Sequence, residues 1–186
     1  MNVLFITGSA RENGMTAKLC DIAASAVPDA DVKVVRPHKM RIEHCTGCAS
    51  CAAAGKCIIK DDMDKIYDAA EKADIIILAT PIYFSGPSSI MKQVIDRFQC
   101  VWNAGKGMKR KNKKKRTAAL IAAGGDPVPI FQNTVSIAKA FATTVGAEWA
   151  GELKISDTDG MNEIPENIAA EARRFVHAVL SKHSGA

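Results

Sequence analysis

The chain has 186 residues, 47% of them hydrophobic, 24% charged and 5% aromatic, enough for one well-buried α/β domain and short for two. Its net charge of +5 is local: residues 106–116 (KGMKRKNKKKR) hold eight of the 25 Lys and Arg and no acid, leaving 17 basic against 20 acidic residues elsewhere. That stretch reads as a solvated loop or an acidic-partner docking surface; nucleic-acid binding is not expected without readout elements around it, and no apolar run is long enough to cross a bilayer.

Residues 3–7 form the first strand-like run and follow directly on Met1-Asn2, so no secretory leader and a cytoplasmic location are expected. The loop that follows, Gly8-Ser9-Ala10-Arg11-Glu12-Asn13-Gly14-Met15-Thr16, leads into an amphipathic stretch at 16–27. Two hydroxyls, a guanidinium and the N–H groups of a helix start suit a terminal phosphate. The loop is neither G-x-G-x-x-G nor G-x-x-x-x-G-K-[ST], which argues against dinucleotide-fold and P-loop NTPase readings.

A second strand is expected at 32–35, and after it come Cys45, Cys48, Cys51 and Cys57, spaced C-x2-C-x2-C-x5-C. Thiolates so close in sequence can converge on one metal centre, whereas the cramped spacing suits native disulfides poorly. A bacterial ferredoxin run has a shorter last gap and a proline after its fourth cysteine; here Ile58 follows Cys57. The segment could hold a [4Fe–4S] cluster, a zinc ion or nothing. His44 stays outside the set because four thiolates already complete it. Cys20 and Cys100 stand alone and read as small buried hydrophobes. Asp61-Asp62 reads as the cap of the next helix, 64–73.

The third strand, at 75–79, is the most apolar run. Behind it, Thr80-Pro81-Ile82-Tyr83-Phe84-Ser85-Gly86-Pro87 places two aromatic rings where a polar loop is the norm: they serve a planar ligand or cover the sheet end. A helix over 88–101, a strand at 118–123, the turn Gly124-Gly125-Asp126-Pro127, a helix at 134–145, a strand near 149–155 and a helix at 166–181 complete five βα units. Such alternation predicts an α/β doubly wound parallel sheet of five strands in the order 2-1-3-4-5, with its ligand beyond the strand ends where the order reverses.

The pieces GSARENGMT, TPIYFSGPSSIMKQVIDR and AAGGD together resemble the flavodoxin-like NAD(P)H-dependent FMN reductase family over most of residues 2–145. CTGCASCAAAGKCIIKDDMD resembles that family's iron–sulfur flavoprotein branch. The resemblance implies a single flavodoxin-like domain over residues 1–186 that binds FMN. Its phosphate would be held by Ser9, Arg11, Gly14 and Thr16, and by the Met15 N–H where the family commonly has Asn. Pro81, Ile82, Tyr83, Phe84, Ser85 and Gly86 would line the isoalloxazine, with Gly124, Gly125 and Asp126 closing the other side. It implies an oxidoreductase moving electrons between NAD(P)H or a ferredoxin-like carrier and an acceptor, with the flavin rather than a side chain carrying the chemistry. It further implies Cys45, Cys48, Cys51 and Cys57 as cluster ligands and a homodimer or homotetramer. A non-enzymatic electron carrier or redox sensor built on the cysteine centre is the alternative.

Overall fold

The computed structural model of the chain describes residues 1–105, 115–125 and 131–184, the last three by backbone alone. Strands β1 (Asn2–Thr7), β2 (Asp31–Val35), β3 (Ile75–Tyr83), β5 (Arg116–Ala122) and β6 (Glu148–Ile155) are parallel and stand in the order β2-β1-β3-β5-β6. Counted as five long strands, this is the expected 2-1-3-4-5. The addition is β4 (Gly86–Pro87), a two-residue strand that folds back antiparallel on the end of β3.

Helices α1 (Met15–Ser25) and α7 (Glu166–Ser184) cover one face; α3 (Met63–Lys72), α4 (Ser89–Arg97) and α6 (Phe131–Thr144) cover the other. The period-2 pleat divides the apolar runs between the two faces. Val3, Phe5, Ile75, Ile77 and Leu120 pack with Leu19, Ala23 and Val176. Leu4, Ile6, Ile76, Leu78 and Ile121 pack with Ile66, Val94 and Phe141. Pairing Phe5 with Ile77 and Ile6 with Leu78 keeps this division in register between neighbouring strands. Each such fully buried large side chain contributes roughly 1.5–3 kcal/mol of transfer free energy.

The single helix expected over 88–101 is two. Ser88 caps α4, its Oγ accepting from the Met91 N–H at 3.2 Å. The helix ends at Arg97, and Phe98 leads into the short α5 (Gln99–Asn103). Phe98 is wedged between two rings, edge-on to Tyr67 at 5.2 Å and to Phe141 at 4.9 Å, so core packing fixes where the helix breaks. Facing α5 is α2 (Ser50–Ala54), a five-residue helix inside the cysteine segment that periodicity did not reveal.

Candidate functional site

The loop after β1 closes on itself. Ser9 Oγ donates to the Arg11 carbonyl at 2.8 Å, and the Gly14 N–H donates to the same oxygen at 3.2 Å. A Cβ on Gly14 would lie 3.2 Å from both Ser9 Oγ and Arg11 Cβ, so a side chain there would press on the turn. No side chain caps α1, so its first-turn N–H groups, with the partial positive charge they carry, face the loop. Ser9 and Thr16 are buried at the base and Arg11 is exposed at the mouth. Glu12 and Lys39 form an ion pair that ties the loop to the 3-10 turn Pro37–Lys39.

Ser9, Arg11, Gly14, Met15, Thr16, Pro81, Ile82, Tyr83 and Gly124 line one cleft of about 290 Å³ at the carboxyl ends of β1, β3 and β5. Phe84, Ser85 and Gly86 are not among its lining. Phe84 and Ser85 form the two-residue turn between β3 and β4, with φ of 49° and 61°, and the Phe84 ring is fully exposed, neither on the cleft nor over the sheet end. Gly125 follows the lining Gly124, and Asp126 lies outside the described residues.

One wall was missed in the sequence. Thr158, Asp159, Gly160, Met161 and Asn162, which follow β6, also line the cleft. The Thr158 and Asp159 N–H groups donate to the Ala123 and Gly124 carbonyls at 3.1 Å, and the Asp159 carboxylate occupies the space a Gly124 side chain would need. A side chain at position 124 would therefore displace the exposed Asp159 carboxylate. The cue was the turn-rich Asp157-Thr158-Asp159-Gly160 directly after the last strand.

The cysteines gather elsewhere, under α4 and α5. Cys45, Cys48, Cys51 and Cys57 line a common small pocket together with Cys100, which is isolated in sequence but not in space. Cys45 and Cys48 are exposed, Cys57 is half-buried, and Cys51 and Cys100 are buried. Ala49, Gly47 and Gly55 take positive φ, which lets the backbone wind tightly around the pocket. Hydrogen bonds from Ser50, then Thr46, hold the Cys48 thiol below its ordinary pKa, while burial pushes Cys100 up. Among the described residues, no three His, Cys, Asp or Glu side chains converge on a single-ion site.

Arg97 roofs this pocket and is 1% exposed. Its guanidinium pairs with Asp61 at 2.5 and 3.2 Å. Burial pushes the Asp61 carboxyl up, but N–H donors from Arg97, Glu43 and Met63 prevail and hold it below the ordinary carboxylate range. The capping expectation needs correction here: Asp61 accepts from the Met63 N–H at 3.0 Å, whereas Asp62, at the N-cap position itself, turns to the Arg41 N–H and to Lys65.

A 2-1-3-4-5 parallel sheet with a cleft at the carboxyl ends of its strands, where the strand order reverses, defines a flavodoxin-like protein. The chain belongs to the NADPH-dependent FMN reductase family, whose sequence model matches residues 1–149. An iron–sulfur flavoprotein of Archaeoglobus fulgidus is 36% identical over 99 residues, 52% of this chain and 45% of that protein. One from Clostridioides difficile is 25% identical across 98% of this chain and 81% of that protein. The stretches matched in the Archaeoglobus protein and in a Methanocaldococcus jannaschii iron–sulfur flavoprotein span about half of each relative's length. Two solved structures share the fold. A flavone reductase has a TM-score of 0.75 and 20% identity over all of this chain and 64% of that one. An NAD(P)H:quinone oxidoreductase from Methanothermobacter marburgensis has a TM-score of 0.69 and 15% identity over 95% of this chain and 97% of that one.

Proposed function

We propose that this chain is a cytoplasmic FMN-dependent oxidoreductase that takes electrons from NAD(P)H or a ferredoxin-like carrier and delivers them to a soluble acceptor. A [4Fe–4S] cluster on Cys45, Cys48, Cys51 and Cys57 is its second redox centre, and a homodimer or homotetramer its working form. The observation that carries the reading is the cleft, which joins an uncapped helix N-terminus and Arg11 to a wall of Pro81, Ile82 and Tyr83. That combination suits a phosphate at one end and a planar ring at the other.

Bound FMN supplies hydride acceptance and one-electron transfer. The residues of the chain bind and orient. Arg11 and the first-turn N–H groups of α1 offset the phosphate charge, Tyr83 and Ile82 keep water from one side of the ring, and the 157–162 segment closes the side over β5. For the cysteines, the donor set is soft thiolate and all four line one pocket, which is the chemistry a cluster held by four sulfurs takes.

The test uses protein purified without oxygen. About one FMN, four irons and four acid-labile sulfides per chain are expected, with steady-state NAD(P)H oxidation in excess acceptor. Protein that binds no flavin refutes the assignment. Flavin-loaded protein without iron and sulfide refutes the cluster alone, and electron exchange without turnover indicates a carrier.

A further inference from the structure

The cysteine pocket contains two side-chain donors aimed at sulfur, both from the C-terminal ends of helices. Arg97, the last residue of α4, uses Nη1 on the Glu43 carbonyl at 2.7 Å and on Asp61, and Nη2 on Asp61, on the Ile59 carbonyl at 3.5 Å and on Cys57 Sγ at 3.6 Å. Asn103, the last residue of α5, donates from Nδ2 to Cys51 Sγ at 3.4 Å, its amide oriented because Oδ1 accepts from Gln99 at 2.8 Å. Arg97 Nε is buried and without a partner among the described residues, so the guanidinium holds a donor to spare beside a pocket lined by five cysteines among other residues.

A buried ion pair is a poor way to gain stability, since desolvation cancels much of the attraction and apolar residues of similar volume do as well. What a guanidinium does here that an apolar side chain cannot is present N–H groups to sulfur while fixed by a carboxylate. Hydrogen bonds to ligating sulfur stabilise the more electron-rich, reduced state of a centre and so raise its reduction potential.

We propose that Arg97 and Asn103 are positioning residues that set the reduction potential of the centre on the four cysteines, Arg97 through Cys57 and Asn103 through Cys51. The inference rests on the iron–sulfur reading above. Arg97 has the larger effect because its hydrogen bond is charge-assisted. Lysine cannot replace it, as one ammonium does not reach Asp61, the Glu43 carbonyl and Cys57 together.

The experiment compares anaerobically purified wild type, Asn103→Leu, Arg97→Lys and the charge-free pair Asp61→Asn/Arg97→Gln. Thermal melting, FMN, iron and sulfide are measured, and redox titration follows the cluster by electron paramagnetic resonance and the flavin by absorbance. The expected result is full FMN, iron and sulfide in each variant, a cluster midpoint shifted negative, more at Arg97 than at Asn103, and an unmoved flavin midpoint. Unchanged cluster midpoints overturn the inference, as do equal shifts of the flavin. Loss of iron and sulfide from folded, flavin-loaded variants also overturns it and makes both residues loop scaffolding. Asn103→Leu, at the partly exposed end of a short helix, keeps the test open if the Arg97 variants do not fold. Wild type without iron and sulfide refutes the cluster reading itself, before any substitution is considered, and the inference with it.

Discussion

Ser88 Oγ donates to the Gly8 carbonyl at 2.7 Å, and the same Ser88 Oγ would stand 2.7 Å from a Cβ placed on Gly8. One hydroxyl thus caps α4 and fixes the start of the loop after β1, 80 residues away in sequence. Thr80 joins them, accepting from the Ser88 N–H at 3.2 Å, so the ends of β1 and β3 and the start of α4 form one unit with no room for a methyl group.

Gly8→Ala should therefore destabilise the protein by about 1–3 kcal/mol, the usual cost of overpacking, and lower the melting temperature. Gly86→Ala is the control. Its nearest obstacle is the Tyr83 carbonyl at 3.8 Å, and the expected change is within about 0.5 kcal/mol. Equal melting temperatures for wild type and Gly8→Ala would show that the junction yields.

Arg11→Ala should weaken FMN binding by about 1.5–3 kcal/mol, the worth of a hydrogen bond to a charged group, roughly ten- to hundredfold in dissociation constant. Arg11 is exposed at the mouth of the cleft, so melting of the flavin-free protein should not change. Flavin-fluorescence titration measures the first effect. An unchanged dissociation constant would remove Arg11 from the phosphate site.

The centre of the sheet was legible because β1, β3 and β5 are buried on both faces and read as apolar runs, whereas the edge strands β2 and β6 are partly exposed and read more weakly. The cleft was legible in three of its walls because they follow those three central strands. The fourth, 157–162, carries no cofactor-like motif: it reaches the site through backbone hydrogen bonds to residues 123–125, which sequence spacing does not encode. Arg97 stood in plain view in the stretch MKQVIDR, but a charged residue closing an amphipathic helix normally faces water. Only the fold of the cysteine segment, with Asp61 turned inward, buries it. Cys100 likewise looked solitary until the break at Phe98 placed α5 against that segment.

The Phe84–Ser85 turn places two non-glycine residues at positive φ, as the tight hairpin between β3 and β4 demands. A left-handed conformation costs such a residue roughly 1–2 kcal/mol, and glycine's greater unfolded-state freedom returns roughly 0.5–1 kcal/mol of that. Ser85→Gly should then stabilise the protein by about 0.5–1 kcal/mol, a rise of roughly 1–4 °C in melting temperature for a chain of this size. A fall would mean that the Ser85 side chain contributes more than the strain it bears.

Cys20 and Cys48 should differ sharply in reactivity, and Cys20 should make stability sensitive to alkali. Cys20 lies on the side of α1 that packs against the sheet and is wholly buried, and burial pushes its thiol up to about 12. Cys48 is exposed and held below its ordinary value by Ser50 and Thr46. In metal-free, reduced protein at pH 8, iodoacetamide should label Cys48 early and leave Cys20 untouched until urea unfolds the chain, because the thiolate is the reactive form. The same shift has a thermodynamic sign. The unfolded thiol ionises near 8.5 and the folded one only about 12, so the neutral, buried form favours folding fully below pH 8.5 and progressively less as pH rises toward 12. Between pH 8 and 10 the urea midpoint of the wild type should fall more than that of Cys20→Ala, which has no thiol to ionise. Parallel pH dependences, or prompt labelling of Cys20 in the folded protein, would show that water reaches this face of the sheet.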